Sequence, residues 1–397
     1  MDTITVNKSR IQSIDLLRGV VMIIMALDHC RDFFHAEGMT GDPTNMATTT
    51  PILFFTRWIT HFCAPIFVFL AGTSGWLQAS KKSKKELSLF LITRGLWLML
   101  MEVTIINFSF FFDPHFTTIG LQTIWSIGIS MVILGGMIWL PFYVILATGL
   151  LIVLGHNGLD LYEQGFKEQP GFWYSLVHQV GFYPLWGNHN VLILYPFLSW
   201  SGLMMLGYCF GKVVSNADEK ERNKTMWMLG AIVIVFFIAL RATNMYGDPD
   251  HWSKQKDGVF TVLSFLNTHK YPPSLLYMCM TIGPAMIFLA IFSKARNKLV
   301  SIISVYGRVP FFYYIIHFYL IHVVASICFF ARGHSFAQGL KSNLPGFNPN
   351  FVEPGEGFSL PIVYAIWIAI IIILYPVCKW YDKYKSAHKN NKWLSYL

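Results

Sequence analysis

The chain has 397 residues, of which 54% are hydrophobic and only 13% carry a charge. Because about a quarter of the residues in a soluble domain are charged, this composition excludes an ordinary soluble protein and indicates a polytopic membrane protein. The net charge of +9 comes from basic residues in short loops and tails, with no recognition motif around them, which argues against a nucleic-acid partner.

Apolar runs divide the chain into candidate membrane spans. A bilayer core needs about 20 apolar residues per helix, and this length gives about ten candidates. The sequence therefore predicts an all-α fold, a single transmembrane helical bundle over residues 1–397 with structured external loops. In chain order the predicted spans are 13–35, 52–78, 88–112, 119–139, 141–157, 191–214, 225–243, 273–293, 306–331 and 359–380.

The lysines and arginines predict the orientation of this bundle. With ten spans, all the basic clusters fall on one side of the membrane, which is the cytoplasmic side by the positive-inside rule. Both termini are then expected in the cytoplasm. The clusters are Lys8 and Arg10; Lys81, Lys82, Lys84 and Lys85; Lys212, Lys220, Arg222 and Lys224; Lys294, Arg296 and Lys298; and Lys379, Lys383, Lys385, Lys389 and Lys392. The segments expected outside are 36–51, 113–118, 158–190, 244–272 and 332–358.

The first span carries more ionisable residues than an apolar helix needs. Arg18 and His29 share one helix face about 16 Å apart along the axis. Asp28 points about 100° away from His29 and is expected beside Arg31 and His35. Charges inside a membrane cost several kcal/mol unless they face a cavity or a partner, so Asp28 and His29 are functional candidates. A solvated membrane surface explains the rest of this outer group, which comprises Arg31, Asp32 and His35.

Other spans bring polar residues to a similar depth. Arg57 and His61 lie one helical turn apart in the second span, and His317 and His322 lie in the ninth. A single histidine in a bundle is usually a packing residue, but several in one outer zone favour a cavity.

Arginines near the cytoplasmic helix ends form a second set. Arg18 and Arg308 lie within two turns of such an end, and Arg94 of the third span is a further candidate. Such arginines can simply extend to the membrane surface. The alternative is an anion site, since a guanidinium fork fits phosphate, and this favours a phosphorylated donor that enters from the cytosol.

Seven segments together resemble the bacterial branch of the heparan-alpha-glucosaminide N-acetyltransferase catalytic family. They are RIQSIDLLRG, TRWITHFCAPIFVFLAG, GHNGLD, LYPFLSWSGLMMLGYCFG, YGDPDHW, KYPPSLLYMCMTIGP and GRVPFFYYIIHFYLIH, in this order along the chain. The spacing of Arg18 and His29 is also similar to the arginine–histidine signature of bacterial membrane O-acyltransferases.

The resemblance implies an enzyme of the bacterial inner membrane. It would take an acetyl group from cytosolic acetyl-CoA, its acyl-donor substrate, and deliver it to a sugar amine or hydroxyl on the far side. The family's histidine near the end of the first helix corresponds to His29 or His35, and the asparagine beside it corresponds to Asp28.

The chemistry of acyl transfer predicts roles for individual residues of such an enzyme. Histidine is the usual general base near neutral pH, which favours His29, supported by Asp28 or Asp32. His317 is a candidate for holding the acceptor or the oxyanion, and Arg18 and Arg308 for holding CoA phosphates. The candidates for acceptor binding are Arg57, His61, His189, Asp248 and His322, with Trp186 or Trp252 as a stacking surface for a sugar.

A proton-coupled transporter of a small polar or sugar substrate is the competing class, because buried His, Asp and Arg also serve proton relays. We expect no metal, since no cysteines are paired at metal-ligand spacing. The expected partners are an acyl-CoA donor, a glycan acceptor and membrane lipid, and a homodimer is compatible with the sequence.

Overall fold

The computed structural model describes residues 12–340 and 349–388, together with residues 391 and 394. The predicted basic residues Lys8, Arg10, Lys389 and Lys392 lie outside the described residues. So does the part of the predicted external segment 332–358 that spans residues 341–348.

The described chain is a helical bundle with one small sheet. The helices are α1 Gln12–Phe34, α2 Pro51–Thr60, α3 Cys63–Ala79, α4 Lys84–Met101, α5 Asn107–Phe111, α6 Thr123–Met137, α7 Phe142–Gly155, α8 Gly158–Glu163, α9 Phe172–Val177, α10 Phe197–Val214, α11 Glu219–Thr243, α12 Gly258–Leu266, α13 Leu275–Ile291, α14 Lys298–Arg308, α15 Pro310–Ala331, α16 Phe336–Gly339 and α17 Leu360–Ala387. The strands are β1 Thr118–Leu121, β2 Gly181–Pro184 and β3 Asn190–Ile193.

The prediction of an all-α membrane bundle is confirmed. Seven helices in the described residues are long and apolar enough to cross a membrane: Pro51–Ala79, Lys84–Phe111, Phe197–Val214, Glu219–Thr243, Leu275–Lys294, Pro310–Ala331 and Leu360–Ala387. Helices also stand at the other three predicted positions. Of these, α6 and α7 are apolar but shorter, and α1 carries five charged residues. The total of ten spans therefore stays a prediction.

Several helices are interrupted where the sequence predicted continuous spans. The second span consists of α2 and α3, which meet at His61 and Phe62. The third span contains a π-helical turn, Glu102–Ile106, between α4 and α5. Tyr195 and Pro196 lie between β3 and α10, so the predicted span 191–214 begins as a strand and is helical only from Phe197.

α1 lies at the centre of the bundle, in contact with α14, α15, α17, α2, α3 and α13. Its tightest contact is with α14, where two glycines let the backbones meet. A Cβ on Gly19 would lie 2.1 Å from the Ile303 carbonyl oxygen, and a Cβ on Gly307 would lie 1.9 Å from that of Asp15. Only glycine fits such an approach, so these positions fix how α1 sits against α14.

The sheet was not predicted from the sequence. β3 is its central strand, parallel to β1 and antiparallel to β2, with Thr118 opposite Asn190 and Gly181 opposite Ile193. It brings Leu192 of β3, and Leu194 just after that strand, to the wall of a cavity beside α1.

Candidate active site

Two large cavities lie beside α1. The first has a volume of about 730 Å³, and we call it the basic cavity because Arg18, Lys82, Arg94, Arg308 and Lys385 line it. The second has a volume of about 460 Å³, and we call it the histidine cavity because His29 lines it, along with Asp28, Arg57 and Lys270. Both volumes are typical of sites for small ligands.

Asp28 gathers cations at one side of the histidine cavity. Its carboxylate accepts hydrogen bonds from Arg31 Nη2 at 3.1 Å and from Arg57 Nη1 at 2.5 Å. The Lys270 ammonium lies 4.0 Å away, and Arg31 also donates to Asp32 at 2.6 Å. Buried charges persist only when they are paired. Here three cations face two carboxylates, which leaves positive charge available to a ligand.

This arrangement corrects two expectations about the end of α1. Arg31 does not lie at a solvated surface, since its side chain is only 4% exposed and is held by Asp28 and Asp32. His35 does not join Asp28. Its Nδ1 instead accepts a hydrogen bond from the Glu37 backbone N–H at 3.3 Å.

His29 faces α15 rather than Asp28, as the helical rotation between neighbouring residues requires. Its ring lies 4.1 Å from the Phe318 ring and 5.3 Å from the His317 ring, measured between centroids. Nδ1 of His29 is buried and has no hydrogen-bond partner among the described residues. The ring edge that carries Nε2 is therefore the one that can reach a ligand in the cavity.

His317 stands behind His29 and lines neither cavity. It is fully buried, and its Nδ1 donates to the Tyr313 carbonyl oxygen at 3.0 Å. Its ring is stacked on the Tyr313 ring. These contacts place His317 in the packing beside the His29 ring and outside both cavities.

The loop between α12 and α13 supplies two residues that sequence reasoning did not assign. Lys270 is 9% exposed, and its ammonium lies near both Asp28 and the Tyr271 ring. Arg57 Nη2 donates to the Tyr271 hydroxyl at 3.5 Å. Burial raises the pKa of Tyr271, but the Lys270 and Arg57 charges outweigh it and hold that pKa below its usual range. The quoted motif KYPPSLLYMCMTIGP was the only sequence signal for this pair.

The basic cavity holds the two arginines predicted to bind phosphate. Arg18 donates to the Gly307 carbonyl oxygen at 3.2 Å and to Ser74 Oγ at 3.3 Å, and it lies 3.4 Å from Asp15. Arg308 contacts Asp382 Oδ2 through two nitrogens, Nε at 2.8 Å and Nη2 at 2.7 Å. No carboxylate lines this cavity among the described residues, so its surface is positive.

The two cavities share one stretch of wall. Phe67 from α3, Thr123 from α6 and Tyr314 from α15 line both of them. A molecule whose polar end lies in the basic cavity would have to pass these three side chains to bring its other end near His29.

Four predicted acceptor-binding residues line neither cavity. His61 is buried against Tyr277, and His189 donates to the Phe116 carbonyl oxygen at 3.0 Å. Asp248 lies 3.6 Å from Arg241 and accepts from the Ser274 hydroxyl at 2.6 Å. His322 stacks on Phe112. These residues have structural partners, so we leave them out of the proposed site. The two candidate stacking tryptophans, Trp186 and Trp252, also lie outside both cavities.

A separate polar cluster ties α8 to the segment around α9. Asp160, Glu163 and His178 each offer a metal-ligand atom within 4.8 Å of the others. Glu163 already accepts hydrogen bonds from Tyr174 at 2.8 Å, from His178 Nδ1 at 2.7 Å and from Gln179. This cluster is thus a hydrogen-bonded network, and no role in the site follows from it.

The family model for the catalytic region of heparan-alpha-glucosaminide N-acetyltransferase matches residues 10–246. The chain belongs to this family. No curated protein matches the chain. Family membership makes the protein a transferase of a membrane acetyltransferase family. The matched region contains Arg18, Asp28, His29 and Arg57.

Proposed function

We propose that this protein transfers an acetyl group from acetyl-CoA in the basic cavity to an amine or hydroxyl of a sugar in the histidine cavity. The observation that carries this proposal is the shared wall. It separates a positive cavity, which suits the phosphates of CoA, from a cavity that presents a histidine.

The reaction balances with these residues alone. The acceptor nitrogen or oxygen attacks the thioester carbonyl carbon while His29 takes the acceptor's proton, and the carbonyl electron pair moves onto oxygen. Collapse of this tetrahedral species expels the CoA thiolate, which receives the proton. The excess of cations around Asp28 favours the negative charge that develops on the way.

The orientation completes the proposal. The basic cavity would open to the cytoplasm, where the Lys and Arg clusters are expected, and the histidine cavity would face the outer side. Ser83→Cys should be labelled by a membrane-impermeant thiol reagent only in inverted vesicles. Labelling of this variant in intact cells would refute the orientation.

Incubation of the purified protein with radiolabelled acetyl-CoA and a cell-envelope glycan extract tests the reaction itself. We expect label to be retained on the glycan fraction. Proton-coupled sugar uptake into liposomes that contain the protein, without any transfer of label, would instead favour the transporter.

A further inference from the structure

Tyr314 lies in the shared wall, where the proposed reaction needs a hydrogen-bond donor for the thioester oxygen. It lines both cavities, in the second turn of α15, which begins at Pro310. The thioester carbonyl must lie close to this shared wall when its carbon is within reach of an acceptor beside His29. A donor for the carbonyl oxygen should therefore be found here.

The Tyr314 side chain is fixed by the same residues that fix His29. Its ring packs at 5.2 Å on the Phe318 ring and at 5.6 Å on the His317 ring. The Phe318 ring lies 4.1 Å from the His29 ring. Tyr314 and His29 thus pack on the same aromatic ring.

The Tyr314 hydroxyl has no hydrogen-bond partner among the residues that the structure describes. The neighbouring Tyr313 differs in one respect. Its hydroxyl is also without a partner in the described chain, but it is sealed in the packing and lines neither cavity. Of the two hydroxyls, only that of Tyr314 can donate to a ligand.

We infer that Tyr314 is a catalytic residue that donates a hydrogen bond to the thioester oxygen as it becomes an oxyanion. This inference rests on the proposed acetyl transfer and adds the donor for the developing charge. The phenol remains protonated throughout. It stabilises the tetrahedral species and releases the oxygen when the carbonyl reforms and the CoA thiolate leaves. Such donors act strongly in a site that excludes water.

Tyr314→Phe tests the inference, because it removes one oxygen and keeps the ring. Loss of an oxyanion donor typically lowers kcat by about 10²–10³-fold, and the affinity for acetyl-CoA should stay unchanged. Tyr313→Phe, on the same helix, is the matched control and should keep normal turnover. If Tyr314→Phe does not fold in detergent, Tyr314→Met, which fills the space without a donor, carries the same test.

A donor analogue separates this role from a structural one. Dithioacetyl-CoA has sulfur in place of the carbonyl oxygen and is a poorer hydrogen-bond acceptor. It should react more slowly than acetyl-CoA with the unmodified protein, and Tyr314→Phe should discriminate less between the two donors.

Three results would each decide against Tyr314. They are near-normal turnover in Tyr314→Phe, equal losses in Tyr313→Phe and Tyr314→Phe, and the same discrimination between the two donors in both proteins. If the unmodified protein neither binds acetyl-CoA nor transfers acetyl, the proposed function itself fails. If it transfers acetyl and only His29→Ala is inactive, the proposed function stands and the inference about Tyr314 alone fails.

Discussion

Asp28 and His29 are neighbours in the chain with separate surroundings. A rotation of about 100° per residue turns Asp28 toward Arg57 of α2 and His29 toward Phe318 of α15. No hydrogen bond joins the two side chains among the described contacts. Asp28 therefore organises the charges of the cavity, and His29 lies against aromatic side chains.

Replacement of His29 by Ala should strongly lower turnover and leave acetyl-CoA binding intact. Loss of a general base typically costs about 10²–10⁴ in rate, and His29 lines only the cavity proposed for the acceptor. Acetyl transfer and equilibrium binding of radiolabelled acetyl-CoA to the detergent-purified variant measure both effects.

His35→Ala is the control for this prediction, because His35 is the other histidine that the family resemblance allows. It lies outside the histidine cavity, so its loss should leave turnover close to normal. A folded His29→Ala protein with normal transfer would remove the proposed base, and inactivity in His35→Ala alone would transfer that role to His35.

At the residue scale, the sequence predicted those site residues whose positions follow from helical geometry alone. Asp28, His29, Arg57, Arg18 and Arg308 were selected by their depth in apolar spans, and all five line a cavity. Lys270 and Tyr271 were missed because they lie in a loop, where periodicity gives no direction for a side chain. Tyr314 was missed because one tyrosine in an aromatic helix carries no distinguishing pattern.

At the scale of elements, the apolar pattern located helices well but did not show how they are interrupted. The break between α2 and α3 and the π-helical turn at Glu102 lie within continuous apolar runs, so hydrophobicity alone does not locate them. The small sheet joins β1 to a strand that follows much later in the chain. Strands of four residues between helices carry too little alternation to be recognised.

The contact between α1 and α14 should be among the least tolerant in the protein. Gly307→Ala would place a Cβ 1.9 Å from the Asp15 carbonyl oxygen, so the helices must separate. Overpacking of this kind costs about 1–3 kcal/mol, and the shift would also displace Arg18, which donates to the Gly307 carbonyl oxygen. We expect a lower unfolding temperature in detergent.

Gly136→Ala is the matched control for this prediction. Gly136 is also helical, and a Cβ there would meet nothing within 4 Å. Alanine in a helix is favoured over glycine by up to about 1 kcal/mol, so this variant should be as stable as the parent or more so. Equal unfolding temperatures for the two variants would show that the contact is not close in solution.

At the scale of the whole molecule, charge is distributed between the two cavities in different ways. The basic cavity is lined by five Lys and Arg side chains and by no carboxylate of the described residues, whereas Asp28 and Asp32 line the histidine cavity beside its cations. No single segment shows this difference, because the lining of each cavity comes from helices far apart in sequence. The sequence could therefore suggest an anion site but not its shape.

Arg18→Ala and Arg308→Ala should each weaken acetyl-CoA binding. A hydrogen bond to a charged group is worth about 1.5–3 kcal/mol, and each arginine already has a carboxylate neighbour, so we expect losses near the lower value. Isothermal titration with acetyl-CoA and with CoA measures them. Arg222 is a basic residue outside both cavities, so Arg222→Ala should bind acetyl-CoA normally. Unchanged affinity for acetyl-CoA in the Arg18 and Arg308 double variant would exclude the phosphate role.

The wall between the cavities should also set the length of the acyl group that is transferred. Phe67 lines both cavities beside Thr123 and Tyr314, so its ring limits the space through which the acyl end passes. Phe67→Ala would open this space, and each methylene accommodated in an apolar pocket is worth about 1–3 kcal/mol in selectivity. The ratio of kcat/KM for butyryl-CoA to that for acetyl-CoA should therefore rise by about tenfold or more.

Phe69→Ala is the control on the same helix, since Phe69 packs on Phe210 and lines neither cavity. Its loss should lower stability without changing the ratio, because a ratio measured on one sample does not depend on the fraction of folded protein. An unchanged ratio in Phe67→Ala, or the same rise in both variants, would mean that acyl length is selected elsewhere.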